Sequence, residues 1–199
     1  MYDNQKIGIV QPKIFFHPEV EILWSGPTNF NKFLLKPKLL GYKSKKSESR
    51  YNSTQFLDYA VGCATLIKTE VFLNVGLLDD DYFAVCEDVD FGLRAKAAGF
   101  KILYNPSAIV YHLESASAGG SDNPVYVYYQ TRSYLILFSK WNRSFFQYLM
   151  SFLIYTFSNM IRIFKLLLKG NYRACYAIIL GYLDFFKKKY GKQFHKQIT

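Results

Sequence analysis

Hydrophobic and polar positions change their period twice along this chain. Short apolar runs bounded by turn residues come first: Ile7 to Val10, stopped near Pro12 with Ile14 to Phe16 beyond it, and Glu21 to Trp24, ended by Ser25-Gly26-Pro27. These read as strands. Residues 36–54, with Lys43-Ser44-Lys45-Lys46-Ser47-Glu48-Ser49, read as a mobile excursion. Val61 to Lys68 reads as a buried strand, followed by a short helix capped by Thr69 and ending at Gly76. From Glu87 the period becomes helical: Val89, Leu93 and Ala97 share a face, Asp90 and Arg94 stand four apart, and Gly99 supplies a left-handed stop. Strand-like Lys101 to Tyr104 and Ala108 to His112 follow on either side of Asn105-Pro106. Glu114 to Asn123, rich in Ser, Ala and Gly, reads as a flexible loop suited to closing over a substrate.

From Pro124 the pattern stays helical. Ser144 to Ile161 is free of charge for 18 residues, the lower edge of a membrane-spanning length. Ser144, Gln147, Ser151, Tyr155, Ser158, Arg162, Lys165 and Lys169 recur at three- or four-residue steps, which predicts one polar stripe on an amphipathic helix with a basic end. Gly170-Asn171 breaks it. A second apolar run, Ala174 to Leu183, is too short to span and leads into Lys187-Lys188-Lys189.

Charge sharpens this division. The net charge of the 199 residues is +10. Residues 1–137 balance 14 basic against 14 acidic side chains, whereas residues 138–199 hold 11 basic residues and only Asp184. An excess gathered in one third points to a polyanionic surface. Lysines that accompany long apolar faces suit an anionic leaflet better than a nucleic acid, so no nucleic-acid partner is expected. Packing of both helices on a partner or on the rest of the chain is the alternative. Cys63, Cys86 and Cys175 have no metal-binding spacing and fit a reducing compartment as free thiols; nothing at the N-terminus has the layout of a signal peptide.

The candidate chemistry lies in Glu87-Asp88-Val89-Asp90, three carboxylates in four residues at a helix start. A carboxylate there can meet solvent and substrate as a general base; the same residues could also merely stabilise the helix dipole. The flanks decide between these. Val61-Gly62-Cys63-Ala64, Thr69 to Asp79, Tyr82-Phe83, Ala97-Ala98-Gly99-Phe100 and Ala108 to His112 form an ordered series. From about Ile7 to about Trp141 this series resembles the second half of the family 2 nucleotide-sugar glycosyltransferases. Its nearest likeness is to the bacterial rhamnosyltransferase-type enzymes of surface-polysaccharide assembly.

The resemblance implies an α/β fold: the C-terminal part of a GT-A-type mixed sheet with flanking helices, followed here by amphipathic C-terminal helices. Two domains are expected, an acceptor-side half over 1–137 and a basic membrane-associating region over 138–199. The resemblance places the catalytic base on Asp88 and a divalent metal ligand (for Mn or Mg) on His112. It places substrate contacts on Glu87, Gly62, Cys63, Asp90 and Arg132, with Asp90 and Arg94 also serving as support. Arg132 is open to two roles, contact with a diphosphate or structure. His112 is likewise either ligand or structural, and Trp24 and Trp141 are either sugar platforms or packed aromatics.

Asp79-Asp80-Asp81 has the bare Asp-x-Asp pattern but falls in a loop, and reads as a solvated turn. No Gly-rich phosphate loop is present, so the nucleotide-binding half of the family is missing from the reading. The expected function is inverting, metal-dependent transfer of a sugar from a nucleotide-sugar donor to a surface-polysaccharide or lipid-linked acceptor. It would take place at the cytoplasmic face of the cell membrane, held peripherally or by a span over 144–161, in a fragment lacking the donor half. The alternative is a non-catalytic membrane-associated module of a glycosyltransferase complex.

Overall fold

The computed structural model describes residues 6–45, 48–113, 120–142 and 144–198. They form two compact units. The first comprises 1–31, 36–78 and 88–114, the second 32–35, 79–87 and 115–199. The expected boundary at 137/138 falls in the last turns of α3 (Pro124–Trp141), a helix of the second unit.

In the first unit, β1 (Ile7–Phe16) is the axis of a mixed sheet. It pairs in parallel with β7 (Lys101–His112), which pairs antiparallel with β5 (Gln55–Leu57). On its other edge β1 meets β6 (Leu66–Ile67) through Ile9 and Val10, and β2 (Leu23–Ser25) through Ile14 and Phe15. The curled mixed sheet with flanking helices is the one the resemblance implies. Pro12 does not stop β1. It faces Asn105, and the register then jumps from Pro12↔Asn105 to Lys13↔Ile109. A residue with no N–H to give is accommodated where the ladder is already irregular.

Two expectations fail here. Residues 36–54 are anchored: β4 (Lys36–Leu39) pairs with β3 (Thr28–Asn31), and Leu23 N–H donates to the Ser44 carbonyl at 2.8 Å. Residues 46 and 47 of that stretch lie outside the described residues. Val61 to Lys68 is not a buried strand; 62–65 form a turn, Gly62 and Cys63 are exposed, and only Leu66–Ile67 joins the sheet. Side chains replace the ladder there. Val61 N–H donates to Gln11 Oε1 at 3.0 Å, Gly62 N–H to Asp88, and the Thr65 hydroxyl to the Val61 carbonyl at 2.6 Å.

α1 (Thr69–Val75) starts without a side-chain cap, Lys68 occupying the cap position, and Gly76 ends it at φ 78°. α2 (Glu87–Ala97) packs Val89, Phe91, Leu93 and Ala95 inward, while Ala97 is exposed. Ile9, Leu57, Val71, Phe91, Ile102 and Tyr104 share the core beneath it.

The second unit is helical. α3 (Pro124–Trp141) is capped by Asn123, whose side chain accepts from Val125 and Tyr126 N–H. Residues 114–119 of the expected closing loop lie outside the described residues. α3 packs on α5 (Tyr172–Phe186) with Gly181 against Thr131, where an added Cβ would come within 2.9 Å of the threonine Cβ. α4 (Phe145–Leu168), capped by Ser144, runs antiparallel to α5; Phe152 touches Phe186 and Tyr182, and Cys175 lies beside the Ile163 carbonyl.

The orientation of α4 is the reverse of that in an ordinary surface helix. Its buried residues are Gln147, Ser151, Asn159 and Leu166. Gln147 donates to the Lys32 and Phe33 carbonyls at 2.5 and 3.1 Å, Ser151 to Phe33, Asn159 to the Tyr182 hydroxyl, and Arg162 to Gln130 and the Ser121 carbonyl. Phe146, Leu153, Phe157, Met160, Phe164 and Leu168 face outward along its length. Tyr172, Tyr176, Ile179, Leu183 and Phe186 do the same on α5 at four- and three-residue steps.

The last residues fold back onto this unit. The Tyr129 hydroxyl donates to the Gln193 carbonyl and accepts from Gln193 N–H, His195 pairs with buried Asp184 at 2.8 Å, and Ile198 is buried.

Candidate active site

Asp88 occupies the second position of α2, at the positive end of the helix dipole. Its Oδ2 accepts from Gly62 N–H at 2.9 Å and its Oδ1 from Val89 N–H at 2.8 Å. The motif thus reaches across 26 residues to the Gly62 turn, and the two expected site segments meet at one carboxylate. Burial raises the Asp88 pKa above the ordinary carboxylate value, while the N–H groups of Gly62, Val89 and Asp88 itself oppose the rise. A carboxylate of raised pKa is a better proton acceptor when ionised.

Gly92 is what lets α2 come this close. A Cβ there would lie 2.7 Å from the Tyr59 Cα, against backbone that cannot step aside. Gln11 is the second support. Its buried side chain donates to the Gly26 carbonyl at 2.8 Å while accepting from Val61, fixing the residue before the Gly62 turn. Neither was foreseen as a site residue. The signals were there: a glycine inside a helical pattern, and an amide inside the apolar run of β1.

Cys63 lies beside Asp88. Though it is exposed at the surface, crowding by protein atoms and then the Asp88 charge push its thiol up to about 12, which disfavours the thiolate. Asp90 is buried and accepts from Arg94 Nε at 2.8 Å; Arg94 also donates to the Val75 and Leu77 carbonyls. That pair ties α2 to the end of α1. Glu87 opens α2 and is half-buried.

His112 ends β7, half-buried, with its ring edge-on to Trp24 at 4.7 Å. Its carbonyl accepts from His17 N–H, and an open pocket of about 620 Å³ lined by Phe16, His17, Pro18, Glu19, Ile22 and Lys43 lies at these strand ends. Among the described residues no group of three or more His, Cys, Asp or Glu side chains could hold a metal ion. His112 could supply one ligand, and the residues described here do not complete a site around it.

Arg132 belongs to the second unit and is fully buried. It donates to the Asp81, Tyr82, Lys189 and Gly191 carbonyls and to the Tyr128 hydroxyl. With Ser133, which donates to the Tyr82 and Ala84 carbonyls, it holds a segment in which Phe83, Val85 and Cys86 all adopt left-handed φ. Asp79 and Asp81 of the Asp-x-Asp pattern both pair with Lys140, so a cation of the chain itself already answers them.

A family model described as glycosyltransferase-like family 2 matches residues 39–133, the stretch that carries the Gly62 turn and the Asp88 helix. The rhamnosyltransferase WbbL of Escherichia coli is 30% identical over 114 residues, covering 56% of this chain and 38% of that protein. The N-acetylglucosaminyl-diphospho-decaprenol L-rhamnosyltransferase of Mycobacterium tuberculosis is 41% identical over 58 residues, 29% of this chain and 19% of that enzyme. The uncharacterized protein y4gI of Sinorhizobium fredii is 29% identical over 126 residues, 59% of this chain and 13% of that protein. Over these stretches the chain is similar to family 2 glycosyltransferases and to rhamnosyltransferases. It spans no more than 38% of the length of these curated relatives.

Proposed function

We propose that this chain is the acceptor-side part of an inverting sugar transferase, with Asp88 as its base. The observation that carries this is the Asp88 carboxylate, raised in pKa and held by the Gly62 turn within the family-matched segment. As the acceptor hydroxyl oxygen attacks the anomeric carbon, Asp88 takes its proton. The bond from that carbon to the nucleoside diphosphate breaks, and the carbon inverts. Glu87, Gly62, Cys63 and Asp90 then belong to or support the acceptor side.

The donor is a nucleotide-sugar, whose binding groups come from outside the residues described here. The acceptor is a glycan or lipid-linked sugar; the mycobacterial relative's name specifies a decaprenol-linked one. A divalent cation, Mn or Mg, would take His112 as one ligand and draw the others from elsewhere. The reaction is placed at the cytoplasmic face of the cell membrane, with 138–199 as the membrane-associating region.

The test is a transfer assay on the longest native polypeptide containing this chain, with nucleotide-sugar donors and lipid-linked acceptors. Asp88→Asn should lower turnover and leave donor affinity unchanged; near-normal turnover in the folded variant would remove Asp88 from the role. A second reading is a non-catalytic membrane-associated module, which the outward apolar faces of α4 and α5 would suit. Absence of transfer in wild type, with membrane binding intact, would select it.

A further inference from the structure

We infer that the outward faces of α4 and α5 together form a membrane-docking surface that lies in the plane of an anionic leaflet, with α4 immersed lengthwise along one side and not crossing. The inference rests on the membrane placement proposed above and specifies the surface that makes the contact.

The faces are built for something apolar. On α4, Phe157 is 65% and Phe164 62% exposed, in a stripe that keeps step for 24 residues, about 36 Å at 1.5 Å per residue. On α5 the stripe ends at Phe186, 63% exposed, whose ring touches Phe152 of α4. The two stripes therefore adjoin along the helix pair. A monomer in water rarely keeps so long an apolar surface uncovered.

Charge identifies the occupant. Lys165, Lys169, Arg173, Lys187, Lys188, Lys189, Lys192 and Lys196 are all exposed, at the two ends of the helix pair and in the tail after it. The one acidic residue of 138–199, Asp184, is buried on Tyr128 and His195. Lys169 is paired with Asp122 at 2.7 Å, and the remaining cations outnumber the acids beside them; such a rim complements anionic headgroups, while a second copy would bring a like-charged rim against it.

The inward face settles the orientation. Alone among the described helices, α4 is long and apolar enough to cross a bilayer. Yet its polar stripe is packed on its own unit from Gln147 near one end to Arg162 near the other. Spanning would carry this packed polar face, and the helices beneath it, through hydrocarbon. α5, at 15 residues or about 22 Å, is too short to accompany it.

The experiment uses the full chain, without donor or acceptor, so its outcome is independent of whether sugar transfer occurs. Co-sedimentation compares phosphatidylglycerol-containing vesicles with neutral phosphatidylcholine vesicles. Wild type should prefer the anionic vesicles and lose binding as salt rises. Phe157→Glu/Phe164→Glu should lower the bound fraction by at least about tenfold with unchanged helicity by circular dichroism. Phe157→Ser/Phe164→Ser should lower it in the same direction, as a check should the charged pair misfold. In Phe157→Trp, quenching should be stronger from a shallow doxyl lipid than from a deep one.

Undiminished binding of both double variants would overturn this surface while leaving membrane placement standing. No binding of wild type to either vesicle would overturn both. Carbonate-resistant retention with deeper quenching would overturn the in-plane arrangement. A lipid-free dimer that the Phe157→Glu/Phe164→Glu change disperses, with vesicle binding unaffected, would give the surface to a second copy.

Discussion

The two units bury polar groups for opposite ends. In the first, Gln11, Gly62 N–H and Val89 N–H lead to one carboxylate, Asp88, and the apolar residues lie beneath them. In the second, Gln147, Ser151 and Asn159 are satisfied inside so that phenylalanines can be shown outside. One arrangement holds a carboxylate of raised pKa; the other leaves outside a surface that water does not favour. A buried polar cluster is therefore informative only together with what occupies the opposite face.

The comparison can be broken most sharply at Asp88. Asp88→Asn should cost at least about 10²-fold in turnover, the low end for a lost general base, measured in the transfer assay. Turnover in wild type should also fall as pH drops through the raised Asp88 pKa, above the ordinary carboxylate range near 4. The sign for stability is opposite. Burial penalises the ionised form, so this group costs stability in full above its folded pKa, and the cost fades as pH falls towards the ordinary carboxylate pKa, below which it is gone. Acid should silence activity through Asp88 without unfolding through Asp88; a pH–rate limb compared with a pH–melting profile checks both.

Next in size is Gly92→Ala, which should destabilise the first unit by about 1–3 kcal/mol through contact with Tyr59 backbone, read by chemical denaturation. Gln147→Leu should cost about 1–2 kcal/mol, because the Lys32 and Phe33 carbonyls lose their donor in a buried setting. The smallest effect sharpens the contrast. Phe157→Ser, on the same helix, should leave stability in lipid-free buffer within about 0.5 kcal/mol, since the ring is exposed there. A large loss from Phe157→Ser would mean that the ring is packed after all.

Local spacing made much of this legible. The acidic start of α2, its Gly99 stop and the Asp90–Arg94 pair all rest on neighbours within one or two turns. Val61 to Lys68 was misread because its partners are remote: Gln11 is 50 residues from Val61, and Asp88 is 26 from Gly62. An apolar run cannot reveal that distant side chains will take its N–H groups. For α4 the period was readable and the direction was not. Periodicity says which residues share a face, whereas the carbonyls that turn the polar face inward belong to residues 32 and 33, more than a hundred positions away.

The folded-back tail has a consequence for how the second unit is made. Arg132 needs the carbonyls of Lys189 and Gly191, Tyr129 needs Gln193, and Asp184 needs His195. A ribosome delivers α3, α4 and α5 first and those partners after them. Until residues 189–195 emerge, a guanidinium and a carboxylate lie in a half-built interior beside apolar stripes that are already complete. Residues 189–195 thus close this unit, and a nascent chain arrested near residue 187 should be held by chaperones longer than one extended past residue 198.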